Sequence, residues 1–127
     1  MARKRSPGLT DAELKLMNVV WQKGSASVSE VVESLPKKEM PLAYSTVLTT
    51  LRILESKGYL THKKEGRAFV YRPAVAKEQV RERAVTHLLR RFFEGSPELL
   101  MLNLAERRKL DHGELNRLRK RIEEETP

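Results

Sequence analysis

Apolar residues along this chain recur first at helical spacing, then in alternation, then at helical spacing again. Leu14, Met17, Val20 and Trp21 return every three or four residues behind Thr10-Asp11-Ala12-Glu13. In that opening Thr10 is placed to accept from the amide three residues on, and Glu13 to reach back to the Thr10 amide. A capped helix ending at Gly24 is therefore predicted. Ser27-Val28-Ser29-Glu30 repeats the box ahead of Val31, Val32 and Leu35, and Pro36 ends this second, shorter helix. Lys37 to Pro41 is a polar connector. A third helix is predicted from about Tyr44 to Lys57, closing at Gly58, with Val47, Leu51 and Leu54 on one side and Thr50 beside them. On a helical wheel Ser45, Thr49 and Arg52 fall on the opposite side.

The pattern then changes. Tyr59 to Lys64 and Arg67 to Arg72 are short runs joined by Glu65-Gly66, and the second holds the strand formers Phe69, Val70 and Tyr71. They predict a β-hairpin that Pro73 stops. From about Ala76 to Phe93 the helical period returns in Val80, Ala84, Leu88 and Phe92, widened by Leu89 and Phe93. Gly95 ends this helix, and Ser96-Pro97 opens another with proline in its tolerated first-turn position. Leu99, Leu100, Met101, Leu102 and Leu104 make that segment apolar almost all round. A last helix starts at the cap Asp111, with Glu114 three residues on, and continues through Leu115, Leu118 and Ile122. No repeat or low-complexity linker interrupts the chain.

Composition narrows the function classes. The 127 residues fit one ordinary domain, or a small domain with an appendage. Lys and Arg total 25 against 17 Asp and Glu, a formal charge of +8. That surplus favours a polyanionic partner, because basic side chains displace counterions condensed on nucleic acid. It is uneven: residues 1–75 hold 13 basic and 7 acidic side chains, and residues 76–127 hold 12 and 10. Mean hydropathy is −0.54, and no stretch approaches the ~18 uninterrupted apolar residues of a spanning helix. No membrane insertion is expected. The basic start Arg3-Lys4-Arg5 is not followed by an apolar signal core, so a cytoplasmic protein is expected. With no cysteine, disulfides, thiolate metal sites and thiol chemistry drop out. His62, His87 and His112 stand on three different elements without a ligand partner at close spacing, so no metal site is expected. There is no glycine-rich phosphate loop, no nucleophile with a near base and no carboxylate pair in an apolar setting. Glu123-Glu124-Glu125 is a charged tail. An enzyme, a cofactor and a small-molecule substrate are not expected.

Three helices followed by a hairpin is the order of a winged helix-turn-helix domain, here residues 1–75. The fold expected is mainly α with a small β-hairpin wing, followed by a helical dimerisation region over 76–127. Such a domain offers its third helix to the major groove and its hairpin to the flanking backbone or minor groove. Ser45 and Thr49 are short enough to let a helix approach base edges, and Arg52 is long enough for a guanine edge or a phosphate. Lys63, Lys64 and Arg67 cluster around the hairpin tip, where they would meet phosphates. The arm Arg3-Lys4-Arg5-Ser6-Pro7-Gly8 is a candidate for a minor groove. The stripes of the second half, with Leu88, Phe92, Leu99, Leu100, Leu102, Leu115, Leu118 and Ile122, exceed what a few dozen residues can bury. Two copies packed together would hide them and set two reading heads on one duplex; folding back on the winged domain is the alternative. A winged-helix module used for protein or RNA contacts, without reading DNA sequence, is the alternative function.

Four segments carry a family resemblance. Leu9-Thr10-Asp11-Ala12-Glu13 with Val20-Trp21 is the first, and Ala43-Tyr44-Ser45-Thr46-Val47-Leu48-Thr49-Thr50-Leu51 the second. Lys57-Gly58-Tyr59-Leu60 and Gly66-Arg67-Ala68-Phe69-Val70-Tyr71-Arg72-Pro73 complete the set. Together they resemble the penicillinase repressor family (BlaI/MecI type) over nearly the whole chain. The resemblance implies a homodimer on a palindromic operator of double-stranded DNA with TACA-type half-sites, repressing its own locus and linked genes. It assigns the reading face to Ser45, Thr46, Thr49 and Arg52, with Arg67 in the wing; Leu48 departs from the polar residue some relatives carry. In antibiotic-responsive members a membrane sensor-protease triggers cleavage at an Asn-Phe bond in the dimerisation region. Here Leu102-Asn103-Leu104-Ala105 stands at the similar position, which makes Asn103–Leu104 the candidate bond, with Asn103 as a plain helix-end residue the alternative. The copper-responsive branch senses metal through cysteines that this chain lacks.

Overall fold

The structure is a computed structural model and describes residues 8–36, 43–107 and 110–125. In chain order the elements are α1 (Asp11–Lys23), β1 (Ala26–Ser27), α2 (Val28–Ser34), α3 (Tyr44–Ser56), β2 (Leu60–Glu65) and β3 (Ala68–Pro73). Three helices follow: α4 (Lys77–Phe92), α5 (Pro97–Arg107) and α6 (His112–Glu125). Two compact units divide between residues 82 and 83, within α4.

Both capping boxes form as the spacing required. The Glu13 amide donates to Thr10 Oγ1 at 3.1 Å and the Thr10 amide to Glu13 Oε1 at 2.8 Å. Ser27 and Glu30 make the same exchange at 3.2 and 3.0 Å. The buried side of α1 is rotated from the expected one. Leu16, Met17 and Val20 are buried, whereas Leu14 is exposed and Trp21 half-buried on the flank. Glu13 lies on this buried side too, where its Oε1 meets Lys57 Nζ of the α3 C-cap at 2.9 Å. Lys57 Nζ donates to the Gly8 carbonyl as well, at 3.2 Å. Burial pushes the Glu13 carboxyl up, but the Thr10 amide and hydroxyl and the Lys57 ammonium outweigh it, leaving the carboxyl below the usual glutamate value. The stability it contributes is therefore present above the ordinary glutamate range and lost on acidification through its lowered value. Lys57→Ala should destabilise the first unit by about 3 kcal/mol, the low end for a broken buried pair, because Thr10 still satisfies the carboxylate. A lower urea midpoint checks this, and adding Glu13→Gln should recover part of the loss.

The hairpin lies one residue later than expected. The Tyr59 amide closes the end of α3 by donating to the Leu54 carbonyl at 2.9 Å, so β2 starts at Leu60, which pairs with Pro73. The strands join through Gly66-Arg67, with Gly66 at φ 62°, a region that favours glycine. The sheet has a third strand that two residues could not announce by periodicity. β1 pairs antiparallel with β3, Ala26 against Tyr71 and Ser27 against Val70, in the order β1-β3-β2.

The core gathers one face of each element of the first unit. Leu16, Met17 and Val20 of α1 meet Val28 and Val31 of α2, Val47, Leu51 and Leu54 of α3, Leu60 of β2 and Tyr71 of β3. Val32, expected inward, is half-buried at its edge. At the exit from the sheet, Trp21 Nε1 donates to the Val75 carbonyl at 3.0 Å, with the Lys77 ammonium 5.9 Å from the ring centroid.

The second unit is built differently. Its helices start where the caps place them: the Leu99 amide donates to Ser96 Oγ at 3.2 Å and the Glu114 amide to Asp111 Oδ1 at 2.7 Å. No described residue of α4, α5 or α6 is buried. Among the described residues no helix is long and apolar enough to cross a membrane.

Candidate nucleic-acid interface

Because Val47, Leu51 and Leu54 anchor one side of α3 in the core, the opposite side is fixed outward. Ser45, Thr46, Thr49 and Arg52 are all exposed. Leu48 is half-buried and packs against the core, at the margin of that surface. Sequence reasoning missed how the hydroxyls are used. Thr49 Oγ1 donates to the Ser45 carbonyl and Thr50 Oγ1 to the Thr46 carbonyl, each at 2.9 Å. Thr49 thus turns a methyl group and a hydroxyl acceptor outward, its proton already committed to the helix backbone. Ala43 supplies no side-chain cap to α3.

In the wing, Lys63, Lys64 and Arg67 are exposed. Adjacent strand residues point to opposite faces, so the two lysines are split. Lys64 shares a face with Leu60, His62, Phe69 and Tyr71, the face that packs on the helices, and Lys63 lies on the other with Thr61 and Val70. Arg67 sits in the turn itself. The basic arm Arg3-Lys4-Arg5 and the connector Lys37 to Pro41 lie outside the described residues.

Behind Arg52 the sheet contributes a polar cluster that no local pattern signals. Tyr71, 1% exposed, reaches from β3 toward α3. Burial and then the Glu55 carboxylate push its hydroxyl up, while the Arg52 guanidinium pulls the other way without reversing the shift. His62 packs on Tyr71 with ring centroids 5.3 Å apart, and its Nδ1 lies 2.7 and 2.9 Å from the Glu55 oxygens. Among the described residues, no group of three or more His, Cys, Asp or Glu could hold a metal ion.

The geometry is that of a helix face of short polar groups flanked by a cationic hairpin. Residues 9–124 match the family described as penicillinase repressor. The chain belongs to the penicillinase repressor family. The penicillinase repressor of Bacillus licheniformis is 36% identical over 121 residues, 95% of this chain and 94% of that protein. Methicillin resistance regulatory protein MecI of Staphylococcus aureus (strain N315) is 25% identical over 111 residues, 87% of this chain and 89% of that protein. Among solved structures, the DNA-binding domain of the repressor BlaI is 40% identical, with a TM-score of 0.50, covering 59% of this chain and 90% of that one. The first unit accordingly has the winged-helix fold, and the penicillinase repressor family is a family of repressors, not of enzymes.

Proposed function

We propose that this chain is a cytoplasmic transcriptional repressor that binds a palindromic DNA operator, with TACA-type half-sites, as a homodimer. The outward polar face of α3 carries this reading. Ser45, Thr46, Thr49 and Arg52 stand on a helix whose other side is locked in the core, so the face is rigid before DNA arrives. In this reading the Thr49 methyl meets a thymine methyl and its oxygen accepts from a base amine, while Arg52 reads a guanine edge or a phosphate. Arg67, Lys64 and Lys63 hold the duplex backbone and set the register. Residues 76–127 form the dimerisation domain through Leu88, Phe92, Leu99, Leu100, Leu102, Leu115, Leu118 and Ile122. Seven of these eight are exposed and Leu100 is half-buried; Val85, Met101 and Leu104, all exposed, extend the set. Release would follow cleavage between Asn103 and Leu104 by a membrane sensor-protease system; Asn103 is exposed within α5.

Fluorescence-anisotropy titration of the full chain against the palindrome and a scrambled duplex tests the reading. Specific binding should exceed scrambled binding, and Thr49→Ala and Arg52→Ala should each reduce that discrimination by ~1–3 kcal/mol. Loss that is equal on both duplexes would make the residue a phosphate contact. Preference for RNA, or none for either duplex, would refute sequence reading.

A further inference from the structure

Arg52 carries a carboxylate one turn away on its own helix. Glu55 stands at i+3, a spacing at which an arginine and a glutamate pair readily. Such a pair would draw the guanidinium along the helix and cancel the charge that an anionic partner needs. Among the described residues that pair does not form. Glu55 turns instead to β2, where His62 Nδ1 lies 2.7 Å from one of its oxygens and 2.9 Å from the other. With two carboxylate oxygens as acceptors, Nδ1 is the protonated nitrogen of the ring. The His62 ring is held in turn by the wing: it sits opposite Tyr71 in the strand register, 5.3 Å from that ring and 5.7 Å from Phe69, edge-on. Tyr71 itself is anchored in the core.

We propose that His62 is a positioning residue for DNA reading: held by the wing against Tyr71 and Phe69, it keeps Glu55 away from Arg52. The wing then has two duties. Its tip contacts the backbone, and its root keeps the reading arginine available. The inference rests on Arg52 contacting DNA, as proposed above, and it makes Glu55 a competitor for Arg52 that stays silent while His62 holds it.

His62→Phe separates this from simple packing, since it keeps an aromatic ring against Tyr71 and Phe69 and deletes the donor. The ratio of palindrome to scrambled affinity should fall roughly two- to fivefold, the scale of an exposed helical ion pair competing for Arg52. His62→Phe/Glu55→Gln should restore the ratio, because a neutral amide no longer holds the guanidinium, and Glu55→Gln alone should leave it unchanged. The melting temperature of each variant, monitored throughout, tells a loss of folding from a loss of reading. An unchanged ratio in His62→Phe, or no rescue by Glu55→Gln, overturns the role of His62. If the parent chain itself shows no preference for the palindrome, the operator reading has failed first, a result separable from these.

Discussion

Leu102→Asp is expected to weaken operator binding by about 10²–10⁴-fold while leaving the winged-helix unit folded. The size of the effect follows from joining two weak reading heads. Once one head is bound, the second meets its half-site at an effective concentration set by the connection, and losing that connection removes the gain without altering a single DNA contact. The structural ground is the second unit, where no described residue of α5 or α6 is buried and Leu102, Met101 and Ile122 are about half exposed. About 45 residues have little core of their own, and in the proposed homodimer a second copy would cover the exposed leucines. A charge placed among those leucines must be desolvated to keep the pair together, which favours separate chains. Size-exclusion chromatography should show monomers, and the affinity of a single half-site should be nearly unchanged. A Leu102→Asp protein that stays dimeric and keeps full operator affinity would move the interface elsewhere. Cleavage between Asn103 and Leu104 would act by the same physics, since it spares the first unit and severs the connection; fragment masses after exposure to a sensor-protease check the bond.

Operator affinity should also fall by about 10³–10⁵-fold between roughly 50 and 200 mM salt, as expected for ~6–10 phosphate contacts. Arg52, Lys63, Lys64 and Arg67, all exposed, would be enough cations for that range if each protomer of the proposed homodimer supplies them. The slope of log affinity against log salt distinguishes them. Arg67→Ala and Lys64→Ala should each flatten it, by about two phosphates per dimer, and weaken all sequences alike. Thr49→Ala should leave the slope intact and change only the preference between sequences. A slope near zero would mean that contacts other than phosphates carry the binding, in conflict with a wing that grips the backbone.

What was legible in the amino-acid order is what depends on neighbours within about four positions. Thr10 with Glu13 and Ser27 with Glu30 cap their helices because the partners are three residues apart. The outward face of α3 was readable because Val47, Leu51 and Leu54 leave the helix a single way to lie on a core. The same periodicity marked the leucines of α5 and α6 as an apolar surplus. Long-range partners lay beyond such reading. A two-residue strand at Ala26–Ser27 exists only because Tyr71 and Val70 arrive beside it. Leu16, not Leu14, is inside, on the side of α1 that packs on the other elements and on which Glu13 meets Lys57 from the far end of α3. Lys63 and Lys64 read as one patch, yet strand alternation sends them to opposite faces. His62 reads as an ordinary surface or packing residue until β2 brings it to Glu55. Backbone geometry over one helical turn or one strand pair is short-ranged and repeats, so the order of residues specifies it. Which side chains from separate elements share a charge is settled by packing, because only the assembled core fixes their distances.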